Sequence, residues 1–191
     1  MVFAILFLEQ EEAWAQASAS SQKEKMIALS IRIQAPLDSV WKRWTTEKEM
    51  QKFFAPVCHL EPKVFGLLEV YFMPNAPAGQ RGAENNRVLA IQEKKMFSFT
   101  WDAPPQYPDI RSQRTFVTVH FYPVTNSETL VTLIHTGWGQ GDDWNTVFGH
   151  FEQAWSGFVL PNLKYSLEVK PVNWKDFPKN VPQGLKPAEK L

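Results

Sequence analysis

From Met26 to Gln34 apolar and polar residues alternate, with Ile27, Leu29, Ile31 and Ile33 on one face and Ala28, Ser30 and Arg32 on the other. A period of two predicts a strand buried on one side. Ala35-Pro36 ends it. Leu37, Val40, Trp41 and Trp44 then recur at helical spacing, with Pro36 where a first helical turn tolerates proline. Thr46-Glu47-Lys48-Glu49 has the form of a capping box opening a second short helix. Met50, Phe53 and Phe54 form its apolar side, and Pro56 closes it.

The middle of the chain predicts six antiparallel strands, at 57–61, 66–72, 87–92, 96–101, 115–122 and 129–136. Turn residues separate them: Pro74, Asn75, Pro77, Gly79 and Gly82 in one gap, Pro104, Pro105 and Pro108 in another, Pro123 with Asn126 in a third. Phe97, Phe99 and Trp101 share a face. So do Val117, Val119 and Phe121, opposite Thr118 and His120, and Val131, Leu133 and His135, opposite Thr132 and Thr136. Antiparallel sheets with one wet side have this pattern.

The longest helical signal follows Gly137-Trp138-Gly139. Asp142 and Asp143 supply the acceptor and the negative charge that a helix N-terminus favours. Trp144, Val147, Phe148, Phe151, Trp155, Phe158, Val159, Leu163 and Leu167 then recur at three-to-four spacing. Pro161 removes one backbone hydrogen bond and predicts a kink; the carbonyl its ring crowds belongs to Gly157, which eases the clash. At 1.5 Å per residue the helix is roughly 40 Å long. Beyond it, residues 169–191 form a Lys/Pro-rich tail, either extended over the surface or partly disordered, or else anchored into a groove of its own domain by Trp174 or Phe177.

A strand, two short helices, six antiparallel strands and one long amphipathic helix make an α+β domain. A sheet with a single apolar face wraps around the helix long enough to cover it. The expected architecture is therefore a helix-grip: a curved antiparallel β-sheet wrapped around a long C-terminal helix, with two short helices after the first strand. The expected division is 1–20 as a signal peptide or disordered arm, 21–168 as the domain and 169–191 as the tail. Val2 to Leu8 is apolar but far short of the roughly 20 residues that span a bilayer. The small-x-small step Ala15-Gln16-Ala17 after it suggests cleavage and export to the periplasm or medium, although no Lys or Arg precedes the run and Glu9, Glu11 and Glu12 follow it. A cytoplasmic location is the close alternative.

Composition narrows the function. The 191 residues carry a formal net charge of zero, so neither nucleic acid nor an anionic membrane surface has an electrostatic case. Fourteen Phe, eight Trp and four Tyr either fill a large core or line a cavity. Cys58 is the single cysteine, which excludes an intramolecular disulfide and a multi-cysteine metal site.

Several segments carry a resemblance. Ala35-Pro36-Leu37-Asp38-Ser39-Val40-Trp41 followed by Phe53-Phe54-Ala55-Pro56, then Phe97-Ser98-Phe99-Thr100-Trp101, then Val131-Thr132-Leu133-Ile134-His135-Thr136-Gly137-Trp138 continuing to Trp144, Trp155 and Leu163, stand in a specific order. Over residues 26 to 168 the chain resembles activator-of-Hsp90-ATPase-like domains of the START/Bet v 1-like (SRPBCC) superfamily. Many relatives have paired glycines where this chain has Phe65-Gly66, and Trp where it has Phe53. The resemblance implies a domain that binds apolar or amphipathic small molecules. Some branches are cyclases or hydrolases, and one is a eukaryotic co-chaperone. The co-chaperone branch fits less well, because its additional N-terminal domain is not in this sequence and an exported protein does not meet Hsp90.

The residues themselves show no catalytic set. His59, His120, His135 and His150 have no metal-ligand spacing, Cys58 and His59 fall on opposite faces of a strand, and no G-x-S-x-G step occurs. Gly79-Gln80-Arg81-Gly82 reads as a hairpin connection rather than a phosphate loop. No cofactor or metal is expected. His135 is the exception: on an inward face, it is either a packed histidine or a group that orients a ligand or moves a proton. The expected function is binding of a small apolar or aromatic molecule between sheet and helix, by Trp44, Phe54, Phe99, Trp101, His135, Trp138, Trp144 and Phe148. The alternatives are a cyclase- or hydrolase-like enzyme using His135, and a protein-interaction module.

Overall fold

The computed structural model describes residues 24–175, 179 and 185–191. The expected signal segment or arm at 1–20, and Phe177 as a tail anchor, lie outside them. Strand β1 (Ile27–Ile33) leads to helices α1 (Leu37–Thr45) and α2 (Glu47–Met50). Then come β2 (Val57–Leu60), β3 (Leu67–Tyr71), β4 (Gly82–Gln92) and β5 (Met96–Trp101). A short helix α3 (Pro108–Ser112) precedes β6 (Thr115–Thr125) and β7 (Glu128–Thr136). The long helix α4 runs through Asp142–Ala154, a π-helical turn Trp155–Val159 and Leu160–Glu168, and a two-residue strand β8 (Glu189–Lys190) follows.

The strands pair antiparallel in one sheet, in the order β2-β3-β4-β5-β6-β7-β1-β8. Register decides which side chains face the helix. Leu29 lies opposite Leu133, which lies opposite Val119, and Phe99 lies opposite Val117, which lies opposite His135. All six are buried, so the period of two in each strand becomes one continuous apolar surface. Val147, Phe151, Trp155, Val159, Leu160 and Leu163 of α4 cover it. Between the sheet and the α1–α2 pair sit Val40, Trp44, Met50, Phe53 and Phe54, each fully buried. The helix-grip expected from the pattern is the architecture found.

Four local expectations change. Thr46 stands at the N-terminus of α2 but makes no side-chain capping bond. Glu49 is taken instead by Arg43, at 3.3 Å, and by Lys52. β4 begins at Gly82, five residues earlier than its apolar pattern suggested, because Glu84 and Asn86 are buried through pairing with arginine and aspartate. The proline-marked gap before β6 contains α3, with Pro108 in its first turn. Pro161 produces a π turn just ahead of itself: the Leu160 amide bonds to the Trp155 carbonyl, so the ladder is rephased where proline offers no N–H.

After α4 the tail returns to the domain. The Val172 amide donates to the Lys52 carbonyl at 2.8 Å, the Trp174 indole donates to the Gln51 carbonyl, and Trp174 packs on Phe158 at 6.2 Å. Further on, buried Ala188 donates its amide to Ser156, and Glu189 and Lys190 pair with Ser30 and Leu29. Among the described residues no helix is long and apolar enough to cross a membrane.

Phe65-Gly66 shows a local strain with a clear sign. Phe65 is left-handed (φ 62°) and 77% exposed, whereas a Cβ on Gly66 would lie 2.1 Å from the Glu61 carbonyl oxygen. A left-handed non-glycine residue costs about 1–2 kcal/mol, of which glycine's greater unfolded-state freedom returns about 0.5–1. Phe65→Gly is therefore expected to raise the unfolding free energy by about 0.5–1 kcal/mol. Gly66→Ala should lower it by about 1–3 kcal/mol, the usual cost of overpacking. Urea unfolding of the two variants checks both signs.

Candidate functional site: an aromatic cleft between sheet and helix

The turn-by-turn spacing of α4 sets one wall of a cleft. Phe151, Ala154, Trp155, Phe158 and Val159 follow i, i+3, i+4, i+7, i+8 and so share one helix face. Opposite them stand Trp101 at the end of β5, Phe72 just past β3, and Phe54 beyond α2. Small Ala154 sits among these bulky rings, and the space encloses about 250 Å³. Phe54 and Trp101 stack at 5.6 Å with planes 15° apart, and Trp155 meets both, at 5.8 and 5.3 Å. These three rings are buried and form the floor, while half-buried Phe72 and Phe158, 6.3 Å apart, form the sides.

Trp155 is held in place by its polar edge. Its indole N–H donates to His135 Nδ1 at 3.0 Å, which leaves the proton of that neutral imidazole on Nε2, 2.7 Å from Thr115 Oγ1. Thr115 Oγ1 in turn donates to the Trp101 carbonyl at 3.0 Å. The chain of bonds thus starts at one cleft ring and ends on the backbone of another. His135 has no exposed surface, and burial pushes its pKa down to about 3.

The expected ligand-contacting residues separate into three groups. Phe54 and Trp101 line the cleft. Trp44 and Phe99 do not: both are fully buried and pack on each other at 6.4 Å, so they fill core that sequence reasoning left open as cavity. His135 does not reach the cleft either. Both its nitrogens are engaged and its charged form is disfavoured, which removes the acid/base role considered for it. Trp138, Trp144 and Phe148 form a separate half-buried cluster, with Trp138 5.0 Å from Phe148 and 6.4 Å from Trp144. Phe151, 6.1 Å from Trp138, divides that cluster from the cleft.

Phe72, His150, Phe151, Trp155 and Phe158 also line the cleft, outside the set the sequence pattern suggests. The signal available was Ala154, a small side chain on an otherwise large-ringed helix face. His150 stands at the rim, exposed on its outer side, and desolvation against the apolar wall lowers its pKa. Cys58 is buried and its thiol is pushed up to about 12, so it packs rather than reacts.

A curved antiparallel sheet gripping a long C-terminal helix is the fold of the START/Bet v 1-like class. The chain belongs to the family of Activator of Hsp90 ATPase homolog 1-like proteins, whose family model matches residues 34–168. A search of curated proteins found no match. Among solved structures, an Hsp90 activator from Plasmodium falciparum is similar at TM-score 0.60 and 16% identity, over 74% of this chain and 95% of that one. The Aha1 dimer from Colwellia psychrerythraea is similar at TM-score 0.57 and 19% identity, covering 76% and 97%. DynU16, from the dynemicin biosynthetic locus, is similar at TM-score 0.58 and 16% identity, covering 76% of this chain and 48% of that one. At these identities the likeness is one of fold.

The buried histidine makes stability depend on pH in a definite direction. An unfolded histidine takes up a proton near its ordinary value of 6.5, whereas His135 in the fold does so only at about 3. Between those values the unfolded state binds more protons, so stability is full above 6.5 and falls as pH drops towards 3. The full loss from this residue is roughly 5 kcal/mol, with a slope approaching about 1.4 kcal/mol per pH unit. Urea unfolding between pH 7 and 4.5 measures that slope, and His135→Gln is expected to flatten it while lowering stability at pH 7.

Proposed function

We propose that this protein is a small-molecule-binding domain that holds an apolar or aromatic ligand in the cleft between sheet and long helix. The observation that carries the reading is the space of about 250 Å³ walled by Phe54, Phe72, Trp101, Phe151, Trp155 and Phe158. Apolar pockets with few polar groups are the usual form of small-molecule sites. A cavity of roughly 150 Å³ lined by apolar side chains takes up benzene, so this one has room for about two rings. Ring faces and edges offer offset-stacked and T-shaped contacts, each adding about 0.5–1.5 kcal/mol beyond burial.

Membership of the family and the resemblance to ligand-binding START-like domains support the same reading. No acid, base or nucleophile among the cleft-lining residues other than His150 offers chemistry, so binding rather than turnover is the function proposed.

The test is a thermal-shift series with naphthalene-sized aromatic probes. A ligand present at a hundred times its Kd stabilises the fold by about 2.7 kcal/mol, or roughly 5–10 °C for a domain of this size. Ala154→Trp fills the cleft from a half-buried helix position and is expected to abolish the shift while leaving the unliganded protein folded. A panel that leaves the melting temperature unmoved in the natural chain overturns the proposal.

A further inference from the structure

The aromatic cleft is not closed at the His150 end. A second space, of about 160 Å³, shares Phe72, Trp101, His150 and Phe151 with it and continues past Gly82, Ala83, Asp102, Ala103 and Arg111. One chamber is walled by rings, and the other is bordered by a guanidinium and a carboxylate. A ligand that spans the junction therefore meets two different chemistries.

The hydrogen-bonding capacity left over in the second chamber is one-sided. Asp102 has no room for a further donor: Asn86 Nδ2 donates to Oδ1 at 2.9 Å, and the Glu84 amide, Arg111 and Arg114 reach Oδ2 at 3.2, 2.8 and 3.3 Å. Glu84 is filled in the same way by the amides of Gly79 and Arg81 and by the Arg81 guanidinium at 2.7 Å. Their side chains are only 1% and 3% exposed. Glu69, the remaining carboxylate nearby, is engaged by Tyr71 and the Asn85 amide. The carbonyls of Ala103 and Gly82 are both taken by Arg111.

Donors, in contrast, remain. Arg111 carries five N–H groups. Those on Nη2 go to Gly82 and Asp102, and one on Nη1 goes to Ala103. The Nε–H and the second Nη1 hydrogen have no partner among the described residues, and the side chain is 15% exposed. His150, at the junction of the chambers, has ring contact with Phe151 at 5.1 Å but no hydrogen bond among those residues. Three guanidinium groups, Arg81, Arg111 and Arg114, share the two carboxylates of the ion-pair network. The two spare hydrogens lie on different edges of the guanidinium, so each offers one charge-assisted hydrogen bond to an anionic oxygen.

Resting on the aromatic-cleft reading, we infer that the ligand is a two-ring aromatic carboxylate. Its rings occupy the space between Trp101, Trp155 and Phe158, and its carboxylate meets Arg111 and His150 in the second chamber. The ring system supplies burial, and the head group fixes orientation.

Calorimetric titration of the full chain with 2-naphthoate and with 2-methylnaphthalene, which has the same rings and no head group, tests this. The expected result is at least tenfold tighter binding of the carboxylate. That advantage should fall to threefold or less in Arg111→Lys, which keeps the charge but not the two spare N–H groups, and in His150→Ala. If Arg111→Lys fails to fold because Gly82 and Ala103 lose their donor, the exposed His150 position still carries the test. Equal affinity of the two probes for the natural chain overturns the carboxylate assignment and leaves the cleft reading intact. An advantage that persists undiminished in His150→Ala and in folded Arg111→Lys overturns the assignment to these residues. Binding of neither probe overturns both the inference and the reading beneath it.

Discussion

Trp155 on α4 donates its indole N–H to His135 on β7, and His135 passes its own N–H to Thr115 on β6. Each of these polar groups is buried, and each is costly to leave unpaired in an apolar interior. Sliding the helix along the sheet, or rotating it, breaks the Trp155 bond without offering water in exchange. The register of helix on sheet is therefore specified by hydrogen bonding as well as by the shape of the apolar surfaces. The position of the Trp155 ring, and with it the floor of the cleft, depends on that register.

The rest of the cleft follows from the same placement. With Trp155 fixed against Trp101 and Phe54, the π turn carries Phe158 and Val159 to the cleft's far side. Trp174, bonded to the Gln51 carbonyl, packs behind Phe158, so a residue of the tail supports a wall of the domain. Ala154 leaves the gap. Protein interiors are close-packed, and a space among large rings persists only where rigid neighbours prevent collapse. Here the neighbours are aromatic side chains tied to backbone and to one another.

The polar network beside the cleft obeys a different rule. Asp102, Glu84, Asn86, Arg81, Arg111 and Arg114 are brought together by strands β4 and β5 and the α3 segment, and both carboxylates are paired with guanidinium groups before any ligand is considered. Desolvation raises the pKa of Asp102, while the amides and the arginine around Glu84 hold that group below its ordinary value. Such a network orders a long turn-rich segment that has little apolar surface of its own. It also borders the adjoining space with Arg111 and with an Asp102 whose oxygens are already engaged.

Local pattern by itself determined the elements that bury one face: the alternation in β1, β5, β6 and β7 and the three-to-four spacing of α4 were legible because each face meets a single environment. It also determined the grip, since one apolar sheet face requires one long cover. Sequence did not reveal α3, the early start of β4 or the π turn, where buried polar pairing and proline geometry override apolar periodicity. Nor did it separate filled core from open cleft. Trp44, Phe99, Phe54 and Trp101 look alike as inward-facing rings, and only the tertiary structure decided that the first two pack shut while the last two face a space. His135 shows the same division. Its inward direction was readable from alternation, but whether its nitrogens were free depended on Thr115 and Trp155, each twenty residues away along the chain and brought within hydrogen-bonding distance by the sheet and the helix.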